Sequence, residues 1–164
     1  MNADAFRQLY DYHITENRKT WNYYIVDLSQ EQFMQPSPYS LGSIRNHVSH
    51  LIGVDDGWFS GLKGRTSPEN PIPEDIEDRD TLRQYWDKVE QSMREYLDAL
   101  TDDMLFKKPF MYDEDKDIIA WQALIHVVNH GADHRAQILR LLGDLGVRTG
   151  PQDYAYYVYD HLSR

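Results

Sequence analysis

Three histidines lie at intervals of four residues in the segment HVVNHGADHR, at His126, His130 and His134. In an α-helix each step of four residues turns a side chain by about 40° and raises it by about 6 Å, so the three imidazoles form a slanting stripe. Such a stripe can hold a metal ion, move protons, or lie on a solvated surface without any chemical role. The surrounding residues decide between these possibilities.

The stripe borders the apolar face of its predicted helix. On a helical wheel with His126 as the origin, Val127 lies at about 100° and Ile138 at about 120°. A row that points into water would lie on the opposite side, so a fully exposed histidine row is disfavoured. Buried histidines with hydrogen-bond partners remain the alternative to a metal site.

A metal site would need a further ligand from elsewhere in the chain. Imidazoles one helical turn apart can reach the same ion at about 2.0 to 2.1 Å, but two ligands bind a metal only weakly. The segment NHVSHLIGVDDGW offers His47 and His50 in another predicted helix. If this helix faces the first, one of the two completes a three-histidine site with positions open to water or substrate.

Composition limits the chemistry further. The chain of 164 residues has no cysteine, so a metal must be bound through nitrogen or oxygen, and a thiol nucleophile of the protein itself is excluded. Its net charge of -10 disfavours binding to nucleic acid or to an anionic membrane. No apolar run can span a bilayer and the start does not resemble a secretory signal, which predicts a cytoplasmic protein. The length predicts one domain, 1–164.

Helical spacing of apolar residues predicts four long helices. The first runs from Asp4 to about Leu28, and the third from Thr81 to Leu100. The second begins at Leu41 or Ile44, with Ser40 or Ser43 as its N-cap, and ends within residues 61–64. The fourth begins at Asp117 or Ile118, with Asp117 as its N-cap, and ends at Leu142 or Leu145. We expect residues 64–80 to form a surface loop and FKKPFMY to form a short extended segment or hairpin. The C-terminal tail is expected to form a short fifth helix. The pattern is typical of an all-α fold, a four-helix bundle with a short C-terminal extra element.

Two segments resemble the DinB-like superfamily of metal-binding four-helix bundles, which also contains low-molecular-weight-thiol S-transferases. They are SIRNHVSHLIGVDDGWF in the second helix and HVVNHGADHRAQILRLLGDLG in the fourth, and the sequence PQDYAYYV follows them. The resemblance covers most of the chain. Asp133 and Ala136 depart from a common form of the motif, which has a second histidine and a glycine there.

The resemblance implies a specific ligand set. In that family one histidine of the second helix lies about eight residues before an aromatic residue, as His50 does before Trp58. The other two ligands form the pair that leads into an Arg-x-Gln-like segment, which here is His130 and His134. His47 and His126 are then neighbours that orient ligands, line a pocket, or replace one of the three.

Asp55, Asp56 and Gln137 are the catalytic candidates. The two aspartates follow His50 by just over one turn and can orient an imidazole or act as a base, although such a pair more often forms a solvated face. Gln137 can hydrogen-bond a ligand histidine or a bound water molecule, or remain a surface amide. Arg135 lies among apolar positions and is expected to pair with an acidic residue of another helix or across a dimer interface.

These features predict a divalent-metal-dependent enzyme in which the ion lowers the pKa of a bound thiol or water molecule. By resemblance the reaction is transfer of a low-molecular-weight thiol to an electrophile, or hydrolysis of a small substrate. Zinc or nickel suits three imidazoles best. The alternative is a non-catalytic bundle whose ion stabilises the fold or a stress-response complex. The aromatic-rich tail and the resemblance predict a homodimer, and His13 and His161 have no predicted role.

Overall fold

The computed structural model describes residues 2–73 and 76–162, and within these ranges it contains helices and no β-strand. The α-helices are α1 (Ala3–Thr20), α2 (Gln30–Met34), α3 (Ile44–Leu62), α4 (Arg79–Ala99), α5 (Ala120–Asp144) and α6 (Tyr154–Leu162). The predicted all-α fold is therefore confirmed. The predicted domain 1–164 also includes residues 1, 74–75 and 163–164, which lie outside the described residues.

The four long helices form the predicted bundle. Helix α3 packs against α4 and α5, and α1 packs against the same two helices, so α1 and α3 lie on opposite sides of the ring. Their apolar stripes meet in one cluster of buried residues. Helix α6 is the short C-terminal extra element, and it contacts α1 through ring contacts of Tyr12 with Tyr154 and Tyr157 at 5.1 and 5.6 Å.

The end of the first helix differs from the prediction. The α-helix ends at Thr20 and continues as a π-helical turn over Trp21–Ile25, instead of running as a regular helix to Leu28. This wider turn buries Trp21, which packs edge-on against Trp86 at 5.8 Å. Helix α2, which was not predicted, follows it.

Local hydrogen bonds set where α3 and α5 begin. Ser43 caps α3 by accepting from the Asn46 backbone N–H at 3.1 Å. Helix α5 begins at Ala120, so the prediction of Asp117 as its N-cap is wrong: the Asp117 carboxylate instead accepts from Lys108 at 2.7 Å.

The connections on either side of α4 agree with prediction only in part. The predicted loop 64–80 ends two residues early, because Asp78 caps α4, and residues 74–75 of that loop lie outside the described residues. The predicted hairpin over FKKPFMY is wrong, whereas the extended alternative agrees with the backbone of Lys107, which has φ -83° and ψ 156°. Asp102–Phe106 forms a 3-10 helix, and the residues after it pair with no strand in the described ranges. No helix in the described ranges is both long enough and apolar enough to cross a bilayer.

Candidate metal centre

Helices α3 and α5 face each other and bring three histidines together. Each of His50, His130 and His134 offers a ring nitrogen, and the three nitrogens lie within 4.8 Å of one another. The Nε2 atoms of His50 and His130 are 3.1 Å apart. The centre of the His134 ring lies 4.3 Å from the centre of the His130 ring and 4.5 Å from that of the His50 ring. Within the described residues, this group is the one that could hold a metal ion.

The spacing of these nitrogens suits a shared ion. Two nitrogen ligands at 2.0 to 2.1 Å in a tetrahedral site lie about 3.3 to 3.4 Å apart, and the observed 3.1 Å between His50 and His130 is close to this value. All three side chains are partly exposed, so the group lies at the surface between the two helices and not inside the core.

Burial also keeps the three imidazoles neutral. It lowers the pKa of His130 to about 4, with the nearby His134 and His50 lowering it further. Burial likewise lowers the pKa of His50 and of His134; for His50 the Asp55 carboxylate opposes this effect. A neutral imidazole has a free lone pair, which is the form that binds a metal. The residue types, spacing and protonation state therefore fit a divalent ion.

His47 lies on the buried side of this group. Its side chain is fully buried, and its Nδ1 is 3.3 Å from Nδ1 of His134. Burial lowers the pKa of His47 to about 4, so this contact joins two neutral rings. When the Nδ1–H of His134 donates a hydrogen bond there, the Nε2 of His134 keeps its lone pair for an ion. His47 thus contacts a candidate ligand without belonging to the three-nitrogen group.

His126 lies at the outer end of the stripe. It is exposed, and its ring is 5.7 Å from that of His130 and 4.8 Å from that of Trp58. It belongs to the aromatic surroundings of the site and is not one of the three grouped residues.

Asp55 and Asp56 are both buried, so the interpretation of this pair as a solvated face is wrong. Asp56 accepts a hydrogen bond from the Asn70 backbone N–H at 2.7 Å and thereby fixes the loop after α3, while burial raises its pKa. Asp55 lies 3.5 Å from Nε2 of His13, and neither of its oxygens accepts a hydrogen bond from the described residues.

Gln137 is engaged at the opposite edge of the site. Its amide donates to Asp133 at 2.9 Å, and its oxygen accepts from the hydroxyl of Ser40. These bonds tie the loop before α3 to α5. A hydrogen bond from Gln137 to a ligand histidine or a bound water molecule stays a prediction.

His13 is a buried polar residue whose position the sequence did not predict. It is fully buried in α1, with Nδ1 3.3 Å from the Arg135 guanidinium and Nε2 3.2 Å from the Asn17 amide. Burial lowers the pKa of His13. Its ring packs directly against Gly131, where an added Cβ would lie 2.3 Å from Cε1 of His13. The available signal was this glycine in the middle of a helix, beside His130.

Arg135 has amide partners. Its guanidinium donates to Asn17 Oδ1 at 2.7 Å and to Gln152 Oε1 at 3.0 Å, and it lies 5.8 Å from the centre of the Tyr12 ring. Among the described residues no carboxylate lies within ion-pair distance of it, so the predicted acidic partner in another helix of the chain is wrong. An acidic partner across a dimer interface stays a prediction. Arg135 joins α5, α1 and the segment before α6.

Comparison with known proteins gives an independent result. The family model described as "DinB family" matches residues 1–161 of the chain. The Protein DinB of Bacillus subtilis (strain 168) is 26% identical over 165 residues, an alignment that covers 96% of this chain and 95% of that protein. The match therefore includes α1 to α5, all of α6 except Leu162, and both segments that supply the three histidines.

Proposed function

We propose that this chain, which belongs to the DinB family, binds a divalent metal ion through His50, His130 and His134 and catalyses a reaction of a small thiol or of water. The observation that carries this proposal is the group of three neutral imidazoles at the surface between α3 and α5. A bound ion lowers the pKa of a thiol or a water molecule in a free coordination position, which produces a nucleophile near neutral pH.

The distribution of the histidines supports a catalytic site over a purely structural one. Structural sites generally have four protein ligands, whereas catalytic sites keep one position for water or substrate. His47 is the nearest further imidazole to His134, and it contacts Nδ1 of His134 from the buried side. Three protein ligands at a partly exposed position leave the outer side open to a small molecule.

The protein residues have defined tasks in this proposal. His50, His130 and His134 provide lone pairs because burial keeps them unprotonated. His47 orients the ring of His134. Since the chain contains no cysteine, the thiol of a transfer reaction must come from the cosubstrate. Three imidazoles suit zinc or nickel, which are the ions that we propose.

Metal analysis of protein purified without an affinity tag tests the ligand assignment. We expect about one zinc or nickel ion per chain in the wild type and its loss in His50→Ala, His130→Ala and His134→Ala. His126→Ala is the matched control, because it removes an imidazole of the same stripe from outside the group and should retain the ion. His47→Ala should weaken binding by about 10- to 100-fold without abolishing it.

Two results would contradict the proposal. A wild-type protein that remains metal-free after zinc and nickel have been offered would show that the histidines only pack against one another. X-ray absorption spectroscopy of the loaded protein that finds four protein ligands and no exchangeable one would favour a structural ion. With an open site, thiol transfer and hydrolysis are then compared directly, with and without 2-mercaptoethanol as the thiol.

A further inference from the structure

A groove of about 290 Å³ lies along the second half of α3, and the ring of Trp58 in its wall contacts that of His126. We name it the Trp58 groove; the lining residues used below are Val54, Gly57, Trp58, Gly61, Phe110 and Asp115. Its walls are mainly aromatic and apolar. Arg65 at its rim is paired with Glu69 at 3.1 Å, so its charge is already compensated.

The groove and His50 share one face of α3. With His50 as the origin of a helical wheel, Gly57 lies at about -20°, Val54 at about 40° and Trp58 at about 80°. Val54 follows His50 by one turn, or about 6 Å along the helix axis. A molecule at the Val54 end of the groove therefore lies about one helical turn from His50.

Aromatic rings connect the two places without a gap. The ring centres of His130 and His126 are 5.7 Å apart. The ring centres of His126 and Trp58 are 4.8 Å apart, and those of Trp58 and Phe110 are 5.4 Å apart. Adjacent rings at these distances are in contact. The groove thus continues the aromatic surface that surrounds the site.

Two glycines of α3 shape the groove in different ways. A Cβ on Gly61 would lie 2.6 Å from the Phe110 ring, so this glycine lets the ring pack against the helix. A Cβ on Gly57 would meet no atom within 4 Å, although Gly57 lines the groove. The absence of a side chain at Gly57 therefore leaves room in the groove itself.

We propose that the Trp58 groove binds the neutral aromatic or apolar body of the electrophile to which the thiol is transferred. This inference rests on the proposed function, and it names the class of acceptor. A dry cavity of about 150 Å³ holds benzene, so 290 Å³ accommodates a substituted ring. Ring edges and faces of Trp58 and Phe110 suit a flat ligand. The charge of Arg65 is compensated by Glu69, and the Asp115 carboxylate that also lines the groove disfavours an anionic ligand.

Binding is tested first on metal-free protein, so that it does not depend on catalysis. We expect 4-nitrotoluene, an unreactive neutral aromatic compound, to shift the amide NMR signals of residues 54–61. Gly57→Leu fills the groove and should weaken this binding by about tenfold or more. Gly53→Leu is the matched control: Gly53 lies in the same helix, is exposed, and has no atom within 4 Å of an added Cβ.

Turnover by metal-loaded protein is tested second, with 2-mercaptoethanol as the thiol. With 1-chloro-2,4-dinitrobenzene, the thiol releases its proton to solvent, the sulfur bonds to the ring carbon, and chloride leaves with the electron pair of the C–Cl bond. Iodoacetamide undergoes the corresponding displacement of iodide but has no aromatic body. Gly57→Leu should raise KM for the aryl chloride by about tenfold or more and leave turnover of iodoacetamide unchanged.

The outcomes separate this inference from the proposed function. Failure of 4-nitrotoluene to shift residues 54–61, or equal binding to wild type and Gly57→Leu, would overturn the groove as a binding site. An equal loss of turnover for both electrophiles would also overturn it, because the substitution would then act on the histidine group. If neither electrophile reacts, thiol transfer fails as the function, while the NMR titration still decides whether the groove binds aromatic molecules.

Discussion

Substitution of Gly131 by alanine should destabilise the protein, although alanine is the better helix former. The added Cβ would lie 2.3 Å from Cε1 and 2.8 Å from Nδ1 of His13, and 3.1 Å from Nη1 of Arg135. His13 is fully buried, so its ring has no free space to enter. Either the ring moves away from Arg135 or α5 moves away from α1.

The expected size follows from three contributions. Overpacking a filled site costs about 1 to 3 kcal/mol. Disturbing the buried contact between His13 and Arg135, now 3.3 Å long, costs about another 1 kcal/mol. Replacing a mid-helix glycine by alanine returns about 1 kcal/mol. The net loss in free energy of unfolding is about 1 to 3 kcal/mol, or about 3 to 9 °C in Tm for a chain of 164 residues.

Urea and thermal unfolding of metal-free protein measure this change without a contribution from a bound ion. Gly53→Ala is the control, because it is the same substitution in the middle of α3 at an exposed position with open space. It should raise the free energy of unfolding by up to about 1 kcal/mol. The two variants should therefore change stability in opposite directions.

A double-mutant cycle identifies the cause. In the His13→Ala background the ring is gone and only the contact with Nη1 of Arg135 at 3.1 Å remains, so Gly131→Ala should lose most of its destabilising effect. The reasoning is refuted if Gly131→Ala in the wild-type background is as stable as Gly53→Ala. It is equally refuted if the cost of Gly131→Ala is unchanged when His13 is absent.

Three further predictions concern pH, the core and assembly. Burial lowers the pKa of His47 and His130 to about 4, below the unfolded value of about 6.5, so the folded state binds fewer protons than the unfolded state between these values. The free energy of unfolding should therefore be highest above pH 6.5 and should decrease as the pH falls towards 4. Urea unfolding of metal-free protein that shows no decrease over this window would contradict the prediction. Tyr10→Phe removes the buried hydrogen bond to the Leu124 carbonyl at 2.9 Å and should cost about 1 kcal/mol, measured by thermal unfolding; an unchanged Tm would show that this bond contributes nothing. We also propose a homodimer, which sedimentation at micromolar concentration checks: a single species near 19.4 kDa would refute it.

The long helices were predictable because their apolar residues repeat with the helical period, and because Ser43 is a good N-cap residue directly before α3. The start of α5 was not predictable in the same way. Asp117 has the side chain of a cap, but Lys108 binds it, and the Ala120 backbone N–H is instead satisfied by the Lys107 carbonyl. The choice between these arrangements depends on the fold of the preceding segment.

The three-histidine group could be predicted from the spacing of the histidines and from the resemblance, but its surroundings could not. No local pattern shows that His13 of α1 lies against Gly131 of α5, because these residues meet only when the two helices pack. The same holds for Arg135, which was expected to pair with an acidic residue and instead donates to the amide oxygens of Asn17 and Gln152. Side-chain partners across a bundle depend on helix rotation, which periodicity defines only coarsely.

The three candidate ligands are divided unequally between the helices, and this division has a topological consequence. His130 and His134 lie one turn apart in α5, whereas His50 lies 80 residues away from His130 and belongs to α3. An ion held by all three would close a loop that contains α4, as a disulfide would do in a chain that had cysteines. The chain-entropy relation for a cross-link gives about 4.5 kcal/mol at 25 °C for a loop of this length. Nearly all of this stabilisation depends on His50, because an ion held by α5 alone would link nothing.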